Sequence, residues 1–216
     1  MDAADVDAPA GQGLPARAGY RRSAGSRRGE ARRQELLGRV ADDLVATGLV
    51  DFSLRRAARA AGTTHKVLLY YFDGVDDLLG QSMLLLRERR IGNVLAAVTR
   101  GPASRPLAAR VRAAGAVLMG EEPGLRVLEQ AIGLAMYDPA RYAGLGREAW
   151  QQYLPPLMSA CPEGWSDRRK LEVAEMILAV LQGFRVDWLT SEDTARVAAG
   201  FDALTRALER EEAAAE

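Results

Sequence analysis

One cysteine (Cys161), one histidine (His65) and two lysines (Lys66 and Lys170) are all that the 216 residues hold of these types. A lone cysteine excludes an intrachain disulfide framework and a cysteine metal cluster. A lone histidine excludes a multi-histidine metal site, and any Ser–His or Cys–His pair built away from position 65. No apolar run approaches the roughly 18 residues needed to span a bilayer. No signal-peptide core follows Met1, so a cytoplasmic protein without a membrane partner is expected. Adjacent carboxylates such as Asp76-Asp77 and Glu121-Glu122 splay apart on a helix and mark solvated faces rather than acid–base pairs. The expectation is a non-enzyme with no cofactor and no metal. Net charge is zero, so binding to nucleic acid cannot be argued from the total.

The distribution of charge says more. Residues 17–72 carry twelve Arg/Lys against five Asp/Glu, whereas residues 101–216 carry thirteen against seventeen. A basic front and an acidic back suit a DNA-contacting part joined to one with another task. Residues 1–29 are rich in Ala, Gly, Pro and Arg and lack apolar periodicity. They read as a disordered basic arm, either a solvated tail or a segment that adds phosphate or minor-groove contacts. From residue 30 to residue 47, Leu36, Leu37, Val40, Ala41, Leu44 and Val45 recur at helical spacing, and Gly48 comes next as a C-terminal glycine. Arg32, Arg33 and Arg39 are left on the solvated side.

The stretch SLRRAARAAGTTHKVLLYYF, residues 53–72, reads as a short helix, a tight turn and a second short helix. Ser53 is placed to cap the first, and Leu54, Ala57, Ala58 and Ala61 form its apolar stripe. Gly62 suits a positive φ at the turn, and Thr64 is placed to cap the second. Small alanines let the two helices pack closely. That is the geometry of a helix-turn-helix, whose second helix enters a DNA major groove. Three short helices bury little area, so the unit leans on the helices C-terminal to it.

After Asp73-Gly74 comes a long helix over residues 75–98, which at ~1.5 Å per residue spans about 36 Å. It links the first unit to a second, with Gly92 a weak point inside it. Further helices are expected at 105–120, at 123–137 with Pro123 at the start, and at 139–153, where Pro155-Pro156 should interrupt or kink the chain. Two more are expected at 167–189, capped by Ser166, and beyond Ser191. No strand pattern is convincing. The fold is expected to be all-α with about nine helices: a helix-turn-helix domain at 30–74 and a C-terminal bundle at 75–216.

The run AARAAGTTHKVLLYYFDGVDDLL, residues 57–79, resembles the DNA-binding motif of the TetR family of bacterial transcription regulators. Ala58, Ala61-Gly62, Thr64, Leu68, Tyr71-Phe72 and Leu78-Leu79 hold the matching places. Lys66 stands where a small residue is usual, Leu69 where an aromatic is usual, and Val75 where a phosphate-anchoring lysine is common. LQGFRVDWL, residues 181–189, is similar to the family's dimerising penultimate helix.

The resemblance implies a homodimer that binds a palindromic double-stranded DNA operator and is released by a small apolar or amphipathic effector, as a repressor. The alternative is a ligand-independent DNA-binding regulator or activator. On the helix-turn-helix and its flank the candidate DNA contacts are Arg32, Arg33, Ser53, Arg55, Thr63, Thr64, His65, Lys66, Val67, Tyr70 and Tyr71. Leu68 and Phe72 are read as core. An effector pocket, also implied by the resemblance, would draw on Met119, Gln130, Met136, Tyr137, Trp150 and Tyr153, with Tyr142 nearby; ordinary core packing is the alternative for each. The implied dimer face comprises Leu178, Leu181, Phe184, Trp188, Phe201, Leu204 and Leu208.

Overall fold

The computed structural model describes residues 26–99, 105–118 and 124–214, which form nine α-helices and no strand. None of these helices is long and apolar enough to cross a membrane. The helices are α1 (Arg27–Thr47), α2 (Leu54–Ala60), α3 (His65–Tyr71), α4 (Val75–Thr99), α5 (Leu107–Leu118), α6 (Leu125–Tyr137), α7 (Pro139–Ala160), α8 (Asp167–Ser191) and α9 (Thr194–Ala213).

Helix α1 starts three residues before the expected position because Ser26 caps it, accepting from the Gly29 N–H at 3.0 Å. Glu30 in the first turn adds favourable charge at the positive end of the helix dipole. Gly48 ends α1 at φ 74°, a conformation that suits glycine. At the far end of the chain Ser191 closes α8 rather than opening α9. Asp193 is the cap of α9, accepting from the Arg196 N–H at 2.9 Å.

Helix α7 departs further from expectation. It runs unbroken through Pro155 and Pro156 to Ala160. Each proline removes one N–H donor, a local cost that is offset by packing. Leu157 and Ala160, beyond the prolines, are partly buried against the core of α5, α8 and α9.

Two apolar clusters hold the molecule together. The first joins Leu36, Val40 and Leu44 of α1, Ala57 and Ala58 of α2, Leu68 of α3, and Leu78 and Met83 of α4 to Val127 and Ala131 of α6 and Leu145 of α7. The three-helix unit therefore completes its core with α4, α6 and α7. The second cluster gathers Leu107 and Val111 of α5, Cys161 and Trp165, Ile177 and Leu181 of α8, and Leu204 and Leu208 of α9. Helix α4 serves both, with Leu78 to Leu86 in the first and Val94 packed against the second.

Candidate nucleic-acid interface and effector cavity

The helix-turn-helix is assembled from its caps. The Ser53 hydroxyl accepts from the Arg56 N–H at 3.3 Å, and the Thr64 hydroxyl from the Val67 N–H at 3.4 Å. Ala57 and Ala61 are fully buried where α2 meets its neighbours, and Gly62 turns the chain at φ 64°. Leu68 is fully buried and Phe72 nearly so, as expected for core residues. The opposite side of α3 faces solvent: His65, Lys66, Val67 and Leu69 are exposed at its first turns. Thr63, Tyr70 and Tyr71 are half-buried; the two tyrosine rings meet edge to face at 4.8 Å, and Tyr71 packs on the first core.

The arginines divide by what they touch. Arg55 is exposed. Arg56 instead grips the α1–α2 junction: its Nε donates to Asp43 at 2.8 Å, its Nη1 to the Val50 carbonyl at 2.8 Å, and its Nη2 to the Gly48 carbonyl at 2.8 Å and to the Thr47 hydroxyl. Arg32 pairs with Glu35 at 2.7 Å on the surface. That hydrogen bond holds the Glu35 carboxyl below its usual range, with Arg32 and Arg39 charge adding to it. Arg33 is drawn inward: it donates to Gln81 of α4, and its guanidinium lies 5.2 Å from the Phe72 ring centre.

The carboxylates just beyond α3 are also engaged. Asp77 accepts the Asp73 N–H at 2.8 Å and the Gln81 amide at 2.8 Å, closing the start of α4. Asp76 makes a two-pronged pair with Arg141 at the start of α7, at 2.7 and 2.8 Å. The Asp76 and Asp77 carboxylates are thus met by groups of the chain itself.

The residues gathered as effector contacts scatter. Met136 and Tyr137 are 76% and 87% exposed at the end of α6, and Trp150 is 41% exposed. Gln130 of α6 meets the turn after α1, its Oε1 accepting from the Leu49 N–H at 3.1 Å beside Gly48. Met119 falls outside the described residues. Of the described candidates, only Tyr153 lines an apolar cavity. That cavity, about 80 Å³ and partly open, lies between α4, α5, α7 and α8 and is lined by Ile91, Val94, Val111, Ala114, Leu157 and Leu178 among others. Arg90, Arg110 and Arg185 also line it. Burial raises the Tyr153 phenol above its ordinary value, against the pull of Arg185, Arg90 and Arg87.

The sequence carries a signal for these arginines that the apolar pattern hides. Arg90 occupies a slot of the α4 stripe that runs through Met83, Leu86 and Val94, where an apolar residue is the rule.

The dimer residues also need correcting. Leu178, Leu181, Leu204 and Leu208 are buried inside the chain's own structure, the last three within the second core. The 3.6-residue period turns their face of α8 inward, and Met176, Ala179, Gly183 and Val186 outward. Phe184, Trp188 and Phe201 are half-buried, and the Phe184 and Phe201 rings lie 5.9 Å apart. Among the described residues no group of His, Cys, Asp and Glu is arranged to hold a metal.

No family model and no curated protein matches the sequence. Solved structures do match. A TetR-family regulator from Cytophaga hutchinsonii superposes with a TM-score of 0.65 at 13% identity, over 85% of this chain and 96% of that one. A TetR transcription regulator from Haloarcula marismortui gives 0.63 at 16% identity, over 84% and 98%. The multidrug binding protein EbrR, complexed with proflavin, gives 0.60 at 21% identity, over 81% and 98%. The fold is that of the TetR regulators. At these identities the likeness concerns the fold. Within it α2 and α3 form the helix-turn-helix-like pair at one end, and α8 and α9 pack as neighbours at the other.

Proposed function

We propose that the chain is a transcriptional repressor that binds a roughly palindromic operator as a homodimer and is released by a small effector. The observation that carries this reading is the solvent-facing start of α3, where His65, Lys66 and Val67 are exposed while Leu68 behind them is fully buried. In this reading Lys66 and His65 reach base edges, Val67 offers a methyl contact, and Arg32, Ser53, Arg55, Thr63, Thr64, Tyr70 and Tyr71 position the unit on phosphates. Arg33 contributes by fixing α1 on α4. Residues 30–74 act as the DNA-binding part, and residues 75–216 as the effector and dimer part. Two copies pair through the outward faces of α8 and α9, with Phe184, Trp188 and Phe201 at the margin, and present two α3 helices to half-sites about one DNA turn apart.

The effector site is the cavity beside Tyr153. A ligand there touches α4, the helix that begins just after α3 ends. Release requires the ligand to bind the DNA-competent and released arrangements unequally. Gln130 on Leu49 and Arg141 on Asp76 are the polar ties that would carry the change to the helix-turn-helix.

Footprinting on the DNA flanking the gene tests the core of this reading. A discrete protected palindrome is expected, and diffuse coverage would sink it. Lys66→Ala should weaken operator binding by about 1–3 kcal/mol while leaving non-specific binding nearly unchanged. Equal loss of both would reduce Lys66 to a phosphate contact.

A further inference from the structure

The cavity between α4, α5, α7 and α8 presents almost only carbon to its interior. Ile91 and Val94 of α4, Val111 and Ala114 of α5, Leu157 of α7 and Leu178 of α8 are among its walls. Arg90, Arg110 and Arg185 line it too, and each is engaged within the chain. Arg185 donates through Nε to Glu129 at 2.7 Å and through Nη2 to Gln182 at 2.8 Å. Arg110 donates through Nη1 to the Ala160 carbonyl at 2.9 Å, and Arg90 has a partner of its own. What these arginines turn to the cavity is therefore mostly methylene stem rather than charged head. No carboxylate among the described residues lines it.

These facts set the chemistry of a guest. An ammonium group entering the cavity would leave water and meet no carboxylate. A carboxylate would leave water and meet guanidinium groups already committed to partners within the chain. Either charge would lose its hydration with nothing to replace it, which is costly in an apolar site. A hydrocarbon group loses no hydrogen bond on entry and gains from the apolar surface that both sides remove from water.

Resting on the reading of this cavity as the effector site, we infer that the effector is an uncharged molecule that inserts a small hydrocarbon group here. The group packs on Ile91, Val111 and Leu157. An apolar cavity of ~150 Å³ admits benzene. At about 80 Å³ and partly open, this one encloses a smaller group and leaves the remainder of the molecule in the opening.

The test uses the purified full chain, with cyclopentane and benzene as uncharged probes and cyclopentylamine and cyclopentanecarboxylate as charged probes at neutral pH. Thermal melting and calorimetry read binding, and operator retention reads release. The uncharged probes are expected to raise the melting temperature in a saturable way and to lower operator affinity. The two charged probes should bind at least about a hundredfold more weakly. Ala114→Leu fills the cavity from α5 and is expected to abolish the rise. Val94→Leu, at a half-buried position of α4, keeps the test available if Ala114→Leu does not fold.

The ways of failing are distinguishable. Charged probes that bind as well as cyclopentane would overturn the uncharged class and leave an effector cavity. Undiminished cyclopentane binding in the folded variants would put the guest elsewhere and overturn the assignment. Uncharged probes that fill the cavity without changing operator affinity would remove it as the effector site while leaving its ligand chemistry in place. No binding by any probe would make it a packing void, and the inference would fall together with the effector reading.

Discussion

Arg56 and Lys66 are both basic residues of the helix-turn-helix, yet substitution of each should be read by a different instrument. Arg56→Ala strips four acceptors at the α1–α2 junction and leaves Asp43, only 23% exposed, without its partner. It should cost about 2–3 kcal/mol in urea denaturation, whereas Lys66→Ala should stay within ~0.5 kcal/mol and act on DNA affinity alone. Tyr153 gives a pH signature. Burial raises its folded-state value above the ordinary 10.0, so the folded chain holds the phenolic proton to higher pH than the unfolded chain. Its contribution is fully present below pH 10 and is lost as pH rises through the folded value. Stability measured from pH 9 to pH 11.5 should therefore fall less steeply in Tyr153→Phe than in the parent chain.

Helix packing here is decided by where glycine meets an aromatic ring. A Cβ added at Gly115 of α5 would overlap the Phe201 ring of α9, and one at Gly200 would come within 2.6 Å of the Phe184 ring. Nothing lies within 4 Å of a Cβ at Gly92 in α4. Replacing a helical glycine with alanine stabilises by about 1 kcal/mol through propensity, while overpacking costs about 1–3 kcal/mol. Gly92→Ala should thus raise the melting temperature and Gly115→Ala should lower it. Helix α7 makes a related point about packing against local preference. Its two prolines forbid two backbone donors, yet the helix continues because Leu157 and Ala160 beyond them are held by the second core.

At the scale of the whole molecule, the proposed dimer depends on the outward face of α8, where Met176 and Val186 are 37% and 46% exposed. Met176→Glu should give a monomer by light scattering at micromolar concentration while circular dichroism stays unchanged. A dimer of unaltered mass would move the interface elsewhere. The same variant should lose operator affinity, because two linked half-sites are read far more tightly than one.

What the sequence determined by itself is local. Caps at Ser53, Thr64 and Ser166, the glycine turns at Gly48 and Gly62, and the apolar periods of α1, α4 and α8 all act within a few residues of their own position. They made the all-α architecture, the helix-turn-helix and the core positions Leu68 and Phe72 readable. What only the tertiary structure decided is which face meets which. A stripe such as Leu181, Leu204 and Leu208 fits a subunit interface and an internal core equally well, and the packing of α5, α8 and α9 on one another made it core. Gln130 became a tie to Leu49, and Met136 and Tyr137 surface residues, through the packing of α6 on α1. The arginines around Tyr153 come from positions up to 95 residues apart, Arg90 and Arg185. No local rule brings them together, because a shared cavity is a property of packed helices rather than of any one of them.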